Sequence, residues 1–159
     1  MIKAQYIRTA DRSYQWAVDQ VLAGKYSKVL NVGAGIKENR YSQHMQDNGS
    51  EIINTDAVGG NAFDLNGAWP FESNTFDAVH ACQVIEHIHN TRQFLSEARR
   101  VLKPKGDIIM TSENLGSVLN TGALMLNYTP FSLAIACGWY VGNPLSLHVG
   151  EDLKRAVDV

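Results

Sequence analysis

The sequence predicts an α/β domain built on an open, mainly parallel sheet of about five strands with helices on both faces. Three observations predict it. Short β-prone runs alternate with segments of helical apolar spacing, the pattern of strand–helix–strand crossovers. A glycine-containing turn, Gly33-Ala34-Gly35, directly follows the first β-prone run. An acidic residue, Asp56, closes the second run about 20 positions later. A length of 159 residues fits a single domain over 1–159, and 45% apolar residues suffice for a buried core.

Taken in order, Tyr14, Ala17, Val18, Val21 and Leu22 fall on one face of a helix that Gly24 ends. Lys28–Val32 is the first strand and runs into the glycine turn. A second helix is expected over 37–47, with Tyr41, His44 and Met45 turned inward and Asn48-Gly49 as its stop. Glu51–Thr55 reads as the second strand, 61–64 as a weak third and 76–81 as the fourth. Asn90 starts the next helix, with Gln93 completing a capping-box-like start. Phe94, Leu95, Ala98, Val101 and Leu102 form its buried face, and Pro104 ends it. Residues 106–111 are the fifth strand. Beyond Glu113 the pattern is helical and apolar, broken at Pro130 and at Gly142-Asn143-Pro144, with a last short helix over 151–157.

Bulk properties exclude several classes. A formal net charge of −2, with no block of Lys or Arg, argues against a nucleic-acid partner. Two isolated cysteines, Cys82 and Cys137, make no disulfide framework and fit a reducing compartment. The first residues lack the apolar centre of a signal peptide. The most apolar stretch, 115–141, is interrupted by Asn120, Asn127, Thr129 and Pro130. A membrane span needs about 20 predominantly apolar residues, so a cytoplasmic protein without a membrane span is expected.

The glycine turn lets the backbone approach a ligand closely. A carboxylate at the tip of the neighbouring strand can accept both ribose hydroxyls of an adenosine. Together they indicate an adenosine-containing cofactor. A dinucleotide fingerprint would carry Gly or Ala where Glu38 stands. A carboxylate at that helix N-terminus would repel a pyrophosphate, so a nicotinamide-dependent oxidoreductase is disfavoured. The sequence has no Gly-Lys-Ser or Gly-Lys-Thr phosphate loop. S-adenosyl-L-methionine carries no phosphate and is compatible with Glu38.

The strings VLNVGAG, INTDA, FDLNGAWPFESNTFDAVHACQVIEHI and EARRVLKPKGDIIMT follow one another over about half of the chain. In order and spacing they resemble the motifs of class I S-adenosylmethionine-dependent methyltransferases, the methyltransferase type 11 group in particular. The resemblance implies a Rossmann-like sheet. It also implies roles: Gly33, Ala34 and Gly35 line the methionine part of the cofactor, and Asp56 holds the ribose. Ala57 packs near the adenine, which Asp64 and Leu65 flank. Ala81, Cys82 and Gln83 form the floor beneath the methionine moiety. Glu86-His87 matches a scaffold motif, and His80 and His89 match no functional position. Asn31 occupies a place where the family usually has an acid near the cofactor's ammonium; it keeps an acceptor oxygen without the charge. Lys37 replaces the third glycine of the usual turn.

The resemblance further implies a core over about 26–112 and an acceptor-covering segment over about 113–150. The usual closing β-hairpin is expected to be lacking, as in a truncated version of the fold. The expected activity is methyl transfer to a small-molecule acceptor such as a glycan, lipid or natural-product intermediate. His148 is the candidate base for an oxygen acceptor. Tyr128, Phe131, Trp139 and Tyr140 are candidate lid residues, with core packing the alternative. The competing expectation is an inactive or partial methyltransferase-like protein that binds cofactor or a partner chain, including a second copy through the exposed sheet edge. No metal ligands are expected.

Overall fold

A computed structural model describes residues 2–35, 40–56, 61–112, 114 and 116–126, with side chains from residue 12 onward. The chain divides into two compact units. One comprises Met1–Ile85 with Asn90–Thr111, the other Glu86–His89 with Ser112–Val159.

The first unit holds the sheet. Helix α1 (Ile2–Gly24) leads into β1 (Lys28–Val32), α2 (Arg40–Asp47) and β2 (Glu51–Thr55). Strand β3 (Phe76–Cys82), α3 (Thr91–Val101) and β4 (Leu102–Thr111) follow. The strands lie in the order β2-β1-β3-β4, every pair parallel. Ala17, Val18 and Val21 of α1 and Met45 of α2 are fully buried and pack with Val29, Ile52, Ala78 and Ile109 on one sheet face. In the second unit, α4 (Val118–Met125) begins at the N-cap Ser117, whose hydroxyl accepts from Asn120 N.

Four strands, not five, occur among the described residues. The expected strand over 61–64 is a loop. Asp64 bonds Asn66 through both the backbone N–H and the side chain, closing a local turn. The Asn61 side chain donates to Asn54 O at 3.2 Å, where a strand would use its backbone. The loop carries Phe63 into an aromatic cluster with Trp69 and Phe71. Glu97 and Arg100 of α3 fasten the following segment. Glu97 accepts from Trp69 N at 2.8 Å, and Arg100 donates to Trp69 O and Phe71 O.

Three local expectations are corrected. Leu95 is 45% exposed, because Phe94, Glu97, Ala98 and Val101 make a narrower buried stripe. His44 is exposed and Ser42 is buried in its place, its hydroxyl bonded to Asn31 and Asn54. Strand β4 begins at Leu102, ahead of Pro104. Pairing jumps from Phe76↔Leu102 to Ala78↔Asp107, so Pro104 sits in an irregularity that needs no ladder N–H from it. The N-cap at Asn90 is as expected, its side chain accepting from Gln93 N at 3.1 Å.

Candidate functional site

The chain passes from β1 to β2 on one side and returns to β3 on the other. The strand order reverses between β1 and β3, the place where open parallel sheets bind ligands. The turn after β1 lies there. Gly33 has φ +69° and Gly35 φ +83°. A Cβ on Gly33 would lie 2.5 Å from Val84 Cγ2, so this turn and the chain after β3 are packed in contact. A Cβ on Gly35 would meet nothing within 4 Å. The two glycines thus serve different ends: one permits packing, the other leaves room above the backbone.

The turn is stitched to the tip of β2. Ala34 N donates to Thr55 O at 3.0 Å, and Gly35 N donates to Asp56 Oδ2 at 2.6 Å. Gly33, Ala34, Gly35 and Asp56 are therefore brought together. Ala81 pairs with Val32 in register, which places Ala81, Cys82 and Gln83 beside the same turn. Gln83 holds φ +54°, costing a non-glycine residue about 1–2 kcal/mol. Two bonds to Thr111 hold it: Gln83 N to the carbonyl at 2.9 Å and Nε2 to the hydroxyl at 3.3 Å. Asp64 and Leu65 lie on the loop that Phe63 N pins to Asp56 O. Ala57, Glu38, His148 and the aromatics Tyr128, Phe131, Trp139 and Tyr140 lie outside the described residues.

Asn31 is 2% exposed. Its Nδ2 donates to Ser42 Oγ and Asn54 Oδ1, both at 2.9 Å, and its Oδ1 lies 2.7 Å from His80 Nδ1. His80 is equally buried, and burial pushes its pKa from 6.5 down to about 4. From the sequence His80 matches no functional position, and Asn54, Ser42 and Thr111 are not singled out. A signal was present for two of them. In buried parallel strands both faces are apolar, so polar Asn54 in IINT and His80 in AVHAC stand out.

The parallel crossover order and the glycine turn bonded to a strand-end carboxylate at its switch point match the class I S-adenosylmethionine-dependent methyltransferase fold. A methyltransferase-domain profile matches residues 24–110, just over half of the chain, and the chain belongs to that methyltransferase family. Solved structures agree on the fold. The PH0226 protein of Pyrococcus horikoshii OT3 is 26% identical with a TM-score of 0.56, the match covering 73% of this chain and 61% of that one. DszA carbon methyltransferase is 19% identical with a TM-score of 0.57, covering 75% and 39%. The YcgJ protein of Bacillus subtilis is 18% identical with a TM-score of 0.52, covering 62% and 50%. The matches thus span only 39–61% of these structures' length. No curated protein matches the sequence. No helix among the described residues is long and apolar enough to cross a membrane.

Proposed function

We propose that this domain binds S-adenosyl-L-methionine and directs its methyl group to a small-molecule acceptor, with glycans, lipids and natural-product intermediates as the acceptor classes. The observation that carries it is the convergence of Gly35 and Asp56. A backbone N–H and a carboxylate meet at 2.6 Å beside a glycine with open space over its Cα. The residues fit the group: a carboxylate oxygen has lone pairs for more than one donor, so Asp56 can take ribose hydroxyls as well as Gly35 N–H. Gly33, Ala34 and Gly35 would then line the methionine part, and Ala81, Cys82 and Gln83 its floor. Asp64 and Leu65 would flank the adenine, with Ala57 near it. Asn31 supports the turn from beneath.

The cofactor, when bound, supplies an already activated methyl. The chain's own work is to hold, orient and exclude water, and positioning alone can lower a barrier by roughly 7–11 kcal/mol. His148 is our candidate for the base with an oxygen acceptor, on its sequence position. Association of two copies along β4, one end of the described strand order, belongs to the same proposal.

Isothermal calorimetry tests the binding step. Wild-type protein should bind S-adenosyl-L-methionine, and Asp56→Ala should weaken it about 30-fold or more, the loss of about 2 kcal/mol in charge-assisted bonds. Equal affinity in the two proteins, both folded, would sink the assignment.

A further inference from the structure

We propose that His80 is a positioning residue of the cofactor site, its ring fixing both the Asn31 side chain beneath the glycine turn and, through Cys82 and Thr111, the conformation of Gln83. The proposal rests on the cofactor-binding function above.

A continuous set of hydrogen bonds crosses all four described strands. Gln83 Nε2 donates to Thr111 Oγ1 at 3.3 Å, and Thr111 Oγ1 donates to Cys82 Sγ at 3.3 Å. Cys82 Sγ lies 3.6 Å from His80 Nε2, and His80 Nδ1 lies 2.7 Å from Asn31 Oδ1. Beyond Asn31 the path continues to Ser42 on α2 and Asn54 on β2, and Ser42 Oγ donates to Asn54 Oδ1 at 2.8 Å. No buried side-chain nitrogen or oxygen among the described residues lacks a partner.

The Asn31 end fixes the ring proton. Asn31 Nδ2 donates to Ser42 Oγ and Asn54 Oδ1, which leaves Asn31 Oδ1 facing His80 Nδ1. An amide oxygen only accepts, so Nδ1 carries the proton of the neutral ring and gives it to Asn31. Nε2 is then the acceptor nitrogen and faces the Cys82 sulfur at 3.6 Å. The low pKa imposed by burial matches this neutral ring.

The path meets the candidate site at two points. At one end is Gln83, the residue with φ +54° beside the expected methionine floor. At the other, Asn31 lies two residues before Gly33, and its backbone carbonyl accepts from the Thr55 hydroxyl at 3.5 Å. Thr55 in turn holds Ala34 N. An acid in place of Asn31 would face Nδ1 and draw a second proton onto the ring. Asn31 and a neutral His80 are a matched pair, and the amide at position 31 is a consequence of the histidine opposite it.

Two measurements test this. Long-range nitrogen–proton correlation spectra of the wild-type protein at pH 7 should show His80 neutral with its proton on Nδ1; an Nε2–H or doubly protonated ring overturns the proposal. Calorimetry with S-adenosyl-L-methionine then compares wild type, His80→Leu and His80→Asn at a temperature where circular dichroism shows each folded. The asparagine amide reaches about as far as Nδ1 and restores the donor to Asn31. The expected result is about tenfold weaker binding in His80→Leu, partly recovered in His80→Asn, which restores the bond to Asn31, with the Gln83 amide resonance shifted in both variants, since neither side chain reaches Cys82. Unchanged affinity in a folded His80→Leu, or equal loss in both variants, makes His80 plain scaffold. Absence of binding by the wild type instead removes the cofactor function itself.

Discussion

Gly33 and Gly35 are two positions apart and both have positive φ, yet replacing each with alanine should have different consequences. At Gly33 two costs combine. A left-handed conformation costs an L-residue about 1–2 kcal/mol. The new methyl would also fall 2.5 Å from Val84 Cγ2, and relieving that overlap costs typically 1–3 kcal/mol. The smaller unfolded-state entropy of alanine returns about 0.4–1 kcal/mol. The net is about 3 kcal/mol. At Gly35 the methyl meets nothing within 4 Å, so only the conformational cost remains, about 1 kcal/mol after the same offset. In a chain of this size 1 kcal/mol moves Tm by roughly 2–4 °C. Gly33→Ala should therefore melt about 6–12 °C below wild type, and Gly35→Ala about 2–4 °C below. Ligand binding should reverse the ranking of severity relative to stability. The Gly35 methyl would enter the space proposed for the methionine moiety, so Gly35→Ala, folded at 20 °C, should lose most of its S-adenosyl-L-methionine affinity. Thermal unfolding followed by circular dichroism, paired with calorimetry, reads both quantities. Equal Tm losses would refute the packing role of Gly33. Wild-type affinity in Gly35→Ala would refute the open-cradle role of Gly35.

Acid should destabilise the fold through His80. The unfolded imidazole takes up its proton near pH 6.5 and the folded one only near 4. Stability is intact above about pH 6.5 and is lost as pH falls toward 4, by about 3 kcal/mol in all. Urea unfolding of wild type and His80→Asn at pH 7 and pH 4.5 checks this; identical pH dependence in the two proteins would show that another group is responsible. Glu97→Ala should cost about 2–3 kcal/mol in the same assay, since it strands Trp69 N and removes the 2.7 Å partner of Arg100. The neighbouring Arg100 guanidinium holds the Glu97 carboxyl below the usual carboxylate range, so this contribution weakens at low pH. Cys82, being 3% exposed, should resist iodoacetamide in the native protein and react in urea, as read by mass spectrometry of its peptide.

Where local signals were strong, sequence and structure coincide. Strands β1 and β2 have the expected ends, because KVLNV and EIINT are bounded by turn residues on both sides. The start of α3 was legible in Asn90 and Gln93 because a cap is a contact between residues three apart. Long-range partners overrode the rest. Phe63 looked strand-forming, but its ring is claimed by Trp69 and Phe71 and its neighbours by the Asp64 turn. Glu97 was not among the residues expected on the buried face of α3; Arg100 and Trp69 N supply the donors that allow its burial, while Leu95 is exposed. At the site, the roles assigned to Gly33, Gly35 and Asp56 came from one turn and one strand end, and the three do meet. The involvement of His80 depends on β1 and β3 lying side by side, 49 residues apart in sequence.

By itself the sequence determined the order of β1, α2, β2, β3, α3 and β4, the parallel crossover class and the place of the glycine turn. These follow from periodicity, turn chemistry and short spacings, which act between near neighbours along the chain. Only the tertiary structure decided which polar side chains are buried together. Asn31 and His80, both buried, come from two different strands, with half-buried Asn54 and Thr111 on the two strands flanking them, and burying the first two required partners that arrived with complementary donors and acceptors. That condition is set by strand register and by the exclusion of water from the sheet face, and no local stretch of sequence encodes it.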